Sequence, residues 1–365
     1  MLKGFQKATR RIKRFAQNTL RSAKRVAYAF TAMAVAAIFA LKRILGAGEM
    51  FNRKMRRSLA IMTAVSGVMR ADMKKTAIAV ARQTMFSAEQ AAEAYYYLAS
   101  AGLDAAQSIA AMPKVAQFAQ AGMFDMARAT EMLTDAQSAL GLKVHDAEQN
   151  MQNMVYVSDA LVKAATLADA TVEQLAESLA TKAGSDMRFW KISLEDGLAV
   201  LLSFAEQGTK AADAGTAFHI MLRDFSSKAI ENARKFKEFG IDVYEGATHE
   251  LRPLLHIVAD LEDALSNMGG ELKKTKLLQL GFADRSVAQT TKLLGFSREM
   301  VRFSSALERA GGTSKRVADT QLTPLEKAVA KLGASWVNLS DKMTPVVHGE
   351  FRGHYSAKLV VVYLH

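Results

Sequence analysis

The sequence contains no cysteine. That excludes disulfides, thiolate zinc sites and thiol catalysis, and it fits a protein made in a reducing compartment. Proline is nearly absent, at four residues in 365, and aromatics make up only 8% of the chain. Runs of β-branched residues are scarce until the last few positions. Alanine, methionine, leucine, lysine, glutamate and glutamine fill the space instead, and these are helix formers. The composition predicts an all-α fold, with enough chain for a sizeable core and for two or three domains.

Acidic residues are missing from one end. Residues 1–75 hold 18 Lys+Arg against two acids, Glu49 and Asp72, a local balance of +16 where the whole chain carries +12. The remainder, at −4, is close to neutral. A basic arm on a neutral body suits anionic partners such as nucleic acid, lipid headgroups or an acidic protein surface; a solvated helix face is the plain alternative. Within the arm, residues 1–25 have nine basic residues and no acid, with Leu2, Phe5, Ile12, Phe15 and Leu20 near helical spacing. Arg10, Arg11, Lys13, Arg14, Arg21, Lys24 and Arg25 are the candidate contacts.

An uncharged stretch follows, "VAYAFTAMAVAAIFAL" at 26–41, so the N-terminal segment reads as a long basic and then apolar helix. As a helix it spans about 24 Å, short of the roughly 30 Å hydrocarbon core of a bilayer. Three readings stay open. The segment packs against protein, touches a membrane with flanking Lys and Arg snorkelling outward, or is processed near "LGAG" at 45–48, although the basic region before it is long for a signal peptide. Val26, Phe30, Met33, Ile38, Phe39 and Leu41 are the candidate membrane or partner contacts.

Periodicity predicts one long amphipathic helix over 51–80, its stripe formed by Phe51, Met55, Leu59, Met62, Val65, Met69 and Met73. Further helices are expected at 104–122, 125–142 and 146–168, with Asp104, Asp125 and Asp146 near their starts, where an acid complements the helix dipole. Residues 210–238 read as helical. "FGIDVYEGATHELRPL" at 239–254 reads as a turn or small hairpin and as a possible sub-boundary. Helices resume over 254–268, 270–281, 285–295, 297–310 and 323–343.

One phrase occurs twice. "SAEQAAEAYYYLASAG" at 87–102 opens on a capping serine, with Gln90 completing a capping box, and closes on glycine. "SLEDGLAVLLSFAEQG" at 193–208 repeats the serine and the glycine at the same separation, with Asp196 at the third helical position. Glu89 matches Glu195, Leu98-Ala99 matches Phe204-Ala205, and Ala105-Ala106 matches Ala211-Ala212. "TVEQLAESLATKAG", from Thr171 to Gly184, reads as a shorter relative. The markers Ser87, Gly102, Ser193 and Gly208 define a reused helix–Gly–helix unit that buries its apolar face on its neighbours. Tyr95, Tyr96 and Tyr97 stand where the second copy has Val200, Leu201 and Leu202. Adjacent helical residues point about 100° apart and cannot all stack on one ligand, so the tyrosines are expected in the core.

The search for chemistry finds no site. "HELRPLLH" at 249–256 lacks the four-residue histidine spacing of a zinc helix and is interrupted by Pro253. "GGELKKTK" at 269–276 lacks the Gly-Lys-Ser/Thr order of a phosphate loop, and "GAGEMF" at 46–51 is no dinucleotide fingerprint. No catalytic, cofactor or metal residue is assigned, and no enzyme activity is expected.

The order of "GAGEMFNRKM" (46–55), "TMFSAEQAAEAYYYLASAGLDAAQSIAAMPKVAQFAQAG" (84–122), "WKISLEDGLAVLLSFAEQGTKAADAGTAF" (190–218), "GFADRSVAQTTKLLG" (281–295) and "LTPLEKAVAKLGASWVNLSDKMTPVV" (322–347) resembles the core of bacteriophage tail tape measure proteins. The resemblance divides the chain into a basic and apolar segment (1–45), a helical core (46–347) and an atypical tail (348–365). It implies a structural assembly factor that sits in the growing tail and whose length sets the number of tube rings. Implied partners are the tail tube protein, tail assembly chaperones, tail tip or initiator proteins and further copies of itself. Contact with DNA is weak or indirect, and the protein leaves the tube at infection. Its places are the host cytoplasm, the tail lumen and, at infection, the host membrane. The family's core has no catalytic residues. Members are usually much longer; as one helix 365 residues would reach only about 550 Å, and the tail after Val347 reads as a frame change or truncation. The alternative is a membrane-active helical protein inserting through residues 26–41.

Overall fold

The computed structural model describes residues 46–62 and 65–354. The basic arm and the apolar stretch at 26–41 lie outside the described residues, as do residues 355–365. The chain divides into two compact units, Lys54–Ala334 and a second one made of residues up to Arg53 together with Ser335 onward. Among the described residues the only β pairing is an isolated bridge between Tyr244 and Leu251, within the stretch read as a turn or small hairpin.

Helix α1 covers 46–61. It is followed by α2 (Gly67–Gln83), α3 (Ala88–Ser100), α4 (Ala105–Gly122), α5 (Met126–Ala139) and α6 (Ala147–Ala164). Next come α7 (Val172–Ser178), a π-turn (Leu179–Ala183), α8 (Gly184–Trp190), α9 (Leu194–Glu206), α10 (Ala211–Glu231) and α11 (Ala233–Glu238). The remainder are α12 (Leu254–Leu265), α13 (Gly270–Gln279), α14 (Asp284–Leu293), α15 (Ser297–Leu307), α16 (Thr313–Gln321) and α17 (Pro324–His354).

Two helices organise the larger unit. α4 packs against α2, α3, α5, α6 and α16, while α9 packs against α6, α7, α10, α12, α14 and α15. α9 is apolar nearly all round, so every residue from Gly197 to Ala205 is buried. A helix of that kind belongs at the centre of a helical domain. In the smaller unit a Cβ on Gly48 would lie 1.9 Å from Ser340 Oγ, so α1 and α17 approach there only because residue 48 has no side chain.

The predicted all-α fold is the observed one, with four differences in detail. First, the helix expected over 51–80 is two helices. α1 ends at 61, and Ser66 starts α2 by accepting a hydrogen bond from Met69 N at 3.2 Å, so a local cap overrides a continuous stripe. Second, Gly184 does not stop its helix. It has ordinary helical dihedrals, the π-turn runs through it into α8, and its missing Cβ makes room for Ala139. Third, 210–238 breaks at Asn232 into α10 and α11. Fourth, α16 has no counterpart in the sequence reading.

Candidate functional site

The residues singled out in the sequence are the repeat markers, and the structure gives both copies one frame. Ser87 accepts from Gln90 N at 3.2 Å while Ser87 N donates to Gln90 Oε1 at 2.8 Å, a closed capping box. Ser193 accepts from Asp196 N at 3.1 Å. The box is open here because Asp196 Oδ1 accepts instead from Ser304 Oγ of α15 at 2.7 Å. At the far ends Gly102 and Gly208 have φ of +79° and +73°. Leu103 N donates to Leu98 O at 3.0 Å and Thr209 N to Phe204 O at 2.9 Å. These are paired Schellman closures, which need the left-handed backbone that glycine adopts without strain.

With serines and glycines aligned, Tyr95, Tyr96 and Tyr97 fall opposite Leu201, Leu202 and Ser203, one position on from the aliphatics expected. Only Tyr95 is core; its hydroxyl donates to Met73 O at 3.1 Å, and burial pushes its pKa up. Tyr96 and Tyr97 are 42% and 38% exposed, which corrects the expectation that all three are buried. They meet edge to face at 5.7 Å and, with Lys54, Arg57, Ser58 and Glu93, line a cleft of about 140 Å³. That is below the volume of ordinary ligand pockets. Its one carboxylate, Glu93, is paired with Lys54.

A larger cleft, about 360 Å³, lies between α2, α4, α16 and the start of α17 and has a basic rim that includes Arg82, Lys315 and Lys327. Its floor is structural. Buried Gln120 accepts from Met85 N at 2.9 Å and donates to Ala318 O at 2.5 Å, and Asp319 is paired with Lys315. Neither cleft aligns a nucleophile, a base and an orienting group. Among the described residues no group of three His, Asp or Glu could hold a metal ion. None of the described helices is long and apolar enough to cross a membrane. His219 Nδ1 lies 2.9 Å from Asp186 Oδ2, and His249 and His256 are exposed.

Three carboxylates that the sequence reading passed over form long-range ties. Asp159 of α6 is buried and accepts from Gly312 N at 2.6 Å and Ser314 N at 2.8 Å, starting α16. Asp224 of α10, also buried, accepts from Ala283 N at 3.2 Å at the start of α14, and Arg223 neutralises it. Glu262 of α12 accepts from Gly295 N at 2.8 Å and Ser297 N at 3.2 Å, starting α15. The preceding residues Ala283, Phe296 and Gly312 supply no side-chain cap of their own. That deficit is the one sequence signal that could have pointed to the ties.

Asp159, Asp224 and Glu262 thus hold helices of the larger unit together. The sequence model of a family described as phage-related minor tail protein matches residues 74–282, inside that unit. The chain is 26% identical over 294 residues to the tape measure protein of Pneumococcus phage Dp-1, an alignment that covers 80% of this chain and 25% of that protein. The chain thus spans about a quarter of the length of that relative. No solved structure matches it. With more than half of its residues inside the family match, and with a helical frame that carries that match, the chain belongs to the phage-related minor tail protein family.

Proposed function

We propose that this chain is the helical core of a tail tape measure, a structural assembly factor that works by packing and length without a catalytic step. The observation that carries the reading is the coincidence of the matched segment 74–282 with a unit whose buried carboxylates and caps all serve helix packing. The likeness to the Dp-1 tape measure protein points the same way. On this reading its partners are the tail tube protein, tail assembly chaperones and tail tip or initiator proteins, and its place is the tail lumen. The basic arm from Arg10 to Arg25 faces an acidic tail surface, and contact with DNA is weak or indirect.

The test is genetic. In the phage or prophage that carries the gene, about 70 helical residues inserted into the encoded protein should lengthen tails by roughly 100 Å, at 1.5 Å per residue. Tail length is read by electron microscopy. Tails of unchanged length in an infective phage would overturn the ruler role.

A further inference from the structure

The cleft between α2, α4, α16 and the start of α17 has a charge balance that packing does not require. Its lining holds Arg82, Lys315, Lys327 and Lys331 against one carboxylate, Asp319, a formal balance of +3. All five lie within the larger unit. Asp319 pairs with Lys315, and Lys327 Nζ donates to Asp319 O at 3.4 Å. Lys327 and Lys331 stand one turn apart on α17, a spacing at which like charges destabilise a helix. Lys315 and Lys327 also stand in the first turns of α16 and α17, where the helix dipole disfavours a cation. Only Arg82, in the last turn of α2, sits where the dipole favours it. The fold gathers cations where its own helices disfavour them, and a bound anion would relieve both effects.

We infer that this cleft binds an acidic peptide segment of a partner protein, with the carboxylates of the segment on the basic rim. The volume of about 360 Å³ falls within the about 300–1,000 Å³ of ordinary ligand sites. The cations come from three helices, α2, α16 and α17, so they suit several carboxylates spaced along a chain better than one compact phosphate. Beside them Gln83 and half-buried Gln117 line the cleft, and an amide side chain can both donate to and accept from a peptide backbone. Gln120 is committed elsewhere, to Met85 N and Ala318 O, and fixes the floor. Residues 1–45, 63–64 and 355–365, which lie outside the described ones, contain no acid and do not fill the cleft. The inference is read from the cleft alone, and its failure would leave the tape measure reading standing.

The absence of cysteine makes a site-specific test possible. In the purified full chain, Q83C is alkylated by an iodoacetyl peptide carrying three glutamates or by its glutamine counterpart, and the adduct is followed by mass spectrometry. K235C on α11, outside the cleft, reports general attraction to a basic surface. Labelling of Q83C should saturate with peptide and run roughly tenfold or more faster with the glutamate peptide. That preference should be lost when K327A/K331A is added to Q83C, with helicity by circular dichroism unchanged, and should be absent at K235C. Equal rates at Q83C for the two peptides, a preference that survives K327A/K331A, or the same preference at K235C would overturn the site. Stronger protection of Q83C by inorganic phosphate or by short single-stranded DNA than by the unlabelled glutamate peptide would overturn the acidic peptide as its occupant.

Discussion

Helix starts in the first and second halves of the larger unit are secured in different ways. Up to residue 193, Ser66, Ser87, Asp104, Asp125, Asp146, Thr171 and Ser193 each cap the helix that follows with their own side chain; α8, which continues out of the π-turn, is the exception. From residue 210 to 312 the cap positions are Lys210, Asn232, Pro253, Gly269, Ala283, Phe296 and Gly312, and none supplies a side-chain bond. Orphan amide groups at a helix start must still be satisfied. In the second half, carboxylates from other helices do this for α14, α15 and α16. One half is written locally and the other depends on the fold being assembled.

The two repeat copies straddle this divide, and their cores give the largest test of it. Leu202 in α9 is fully buried, while its counterpart in α3, Tyr96, is 42% exposed. Leu202→Ala should lower the stability of the unit by about 2–5 kcal/mol, the usual cost of a cavity in a core. Tyr96→Ala should cost less than about 1 kcal/mol, as for other exposed substitutions. Urea unfolding followed by circular dichroism reads both. Equal losses would mean that the copies have the same burial and that the difference drawn here is wrong.

Next in size is Asp159→Ala. It leaves Gly312 N and Ser314 N without their acceptor inside the protein; Ser314 is the buried one, and an unsatisfied buried group costs about 1–3 kcal/mol. The loss should appear as faster amide exchange throughout α16. A variant whose α16 amides exchange like the parent's would show that this start is held by something other than the tie.

These cases explain what was legible in the sequence. Capping serines, threonine and aspartates, and the glycines at 102 and 208, act within five residues of themselves, so pattern alone placed α3 to α6, α9 and the start of α7 closely. Asp159 acts on a residue 155 positions away, and the cap-type residues Thr313 and Ser314 stand one and two places past the position that starts the helix, Gly312, so α16 went unread. The break between α1 and α2 was missed because the methionine stripe keeps its period across Ser66. Tyr96 and Tyr97 were misplaced because a repeat shows which positions correspond, not how deeply each copy is buried. The two clefts were not legible, since both depend on which faces neighbouring helices leave open.

Capping serines should give a smaller and more even effect. Ser87→Ala and Ser193→Ala are each expected to cost about 1 kcal/mol. Ser87 should cost slightly more, because its variant also breaks the reciprocal arrangement with Gln90. A Ser193 variant several times worse than the Ser87 one would mean that the second copy's start also relies on the Asp196–Ser304 contact being positioned by the cap.

The smallest effect separates the matching glutamates. Glu89 is half-buried, and its pKa is raised by burial, with Lys54 opposing in part. Its ionised form is therefore disfavoured in the folded state. Stability from this group rises as pH falls through the folded pKa toward 4.5, and is lower at neutral pH. Glu195 instead accepts the Tyr156 hydroxyl at 2.8 and 2.9 Å, a bond in which the carboxylate charge is an advantage. Glu89→Gln and Glu195→Gln remove the same charge from the first turn of equivalent helices, so any dipole contribution lost is shared. Their difference at pH 7 should be about 0.5 kcal/mol in favour of Glu89→Gln. The Glu89 variant should flatten the stability profile just above pH 4.5. If both variants change stability equally at pH 7 and the Glu89 variant keeps the parent's slope in that window, the two copies differ in their cores and ties but not in the electrostatics of their first turns.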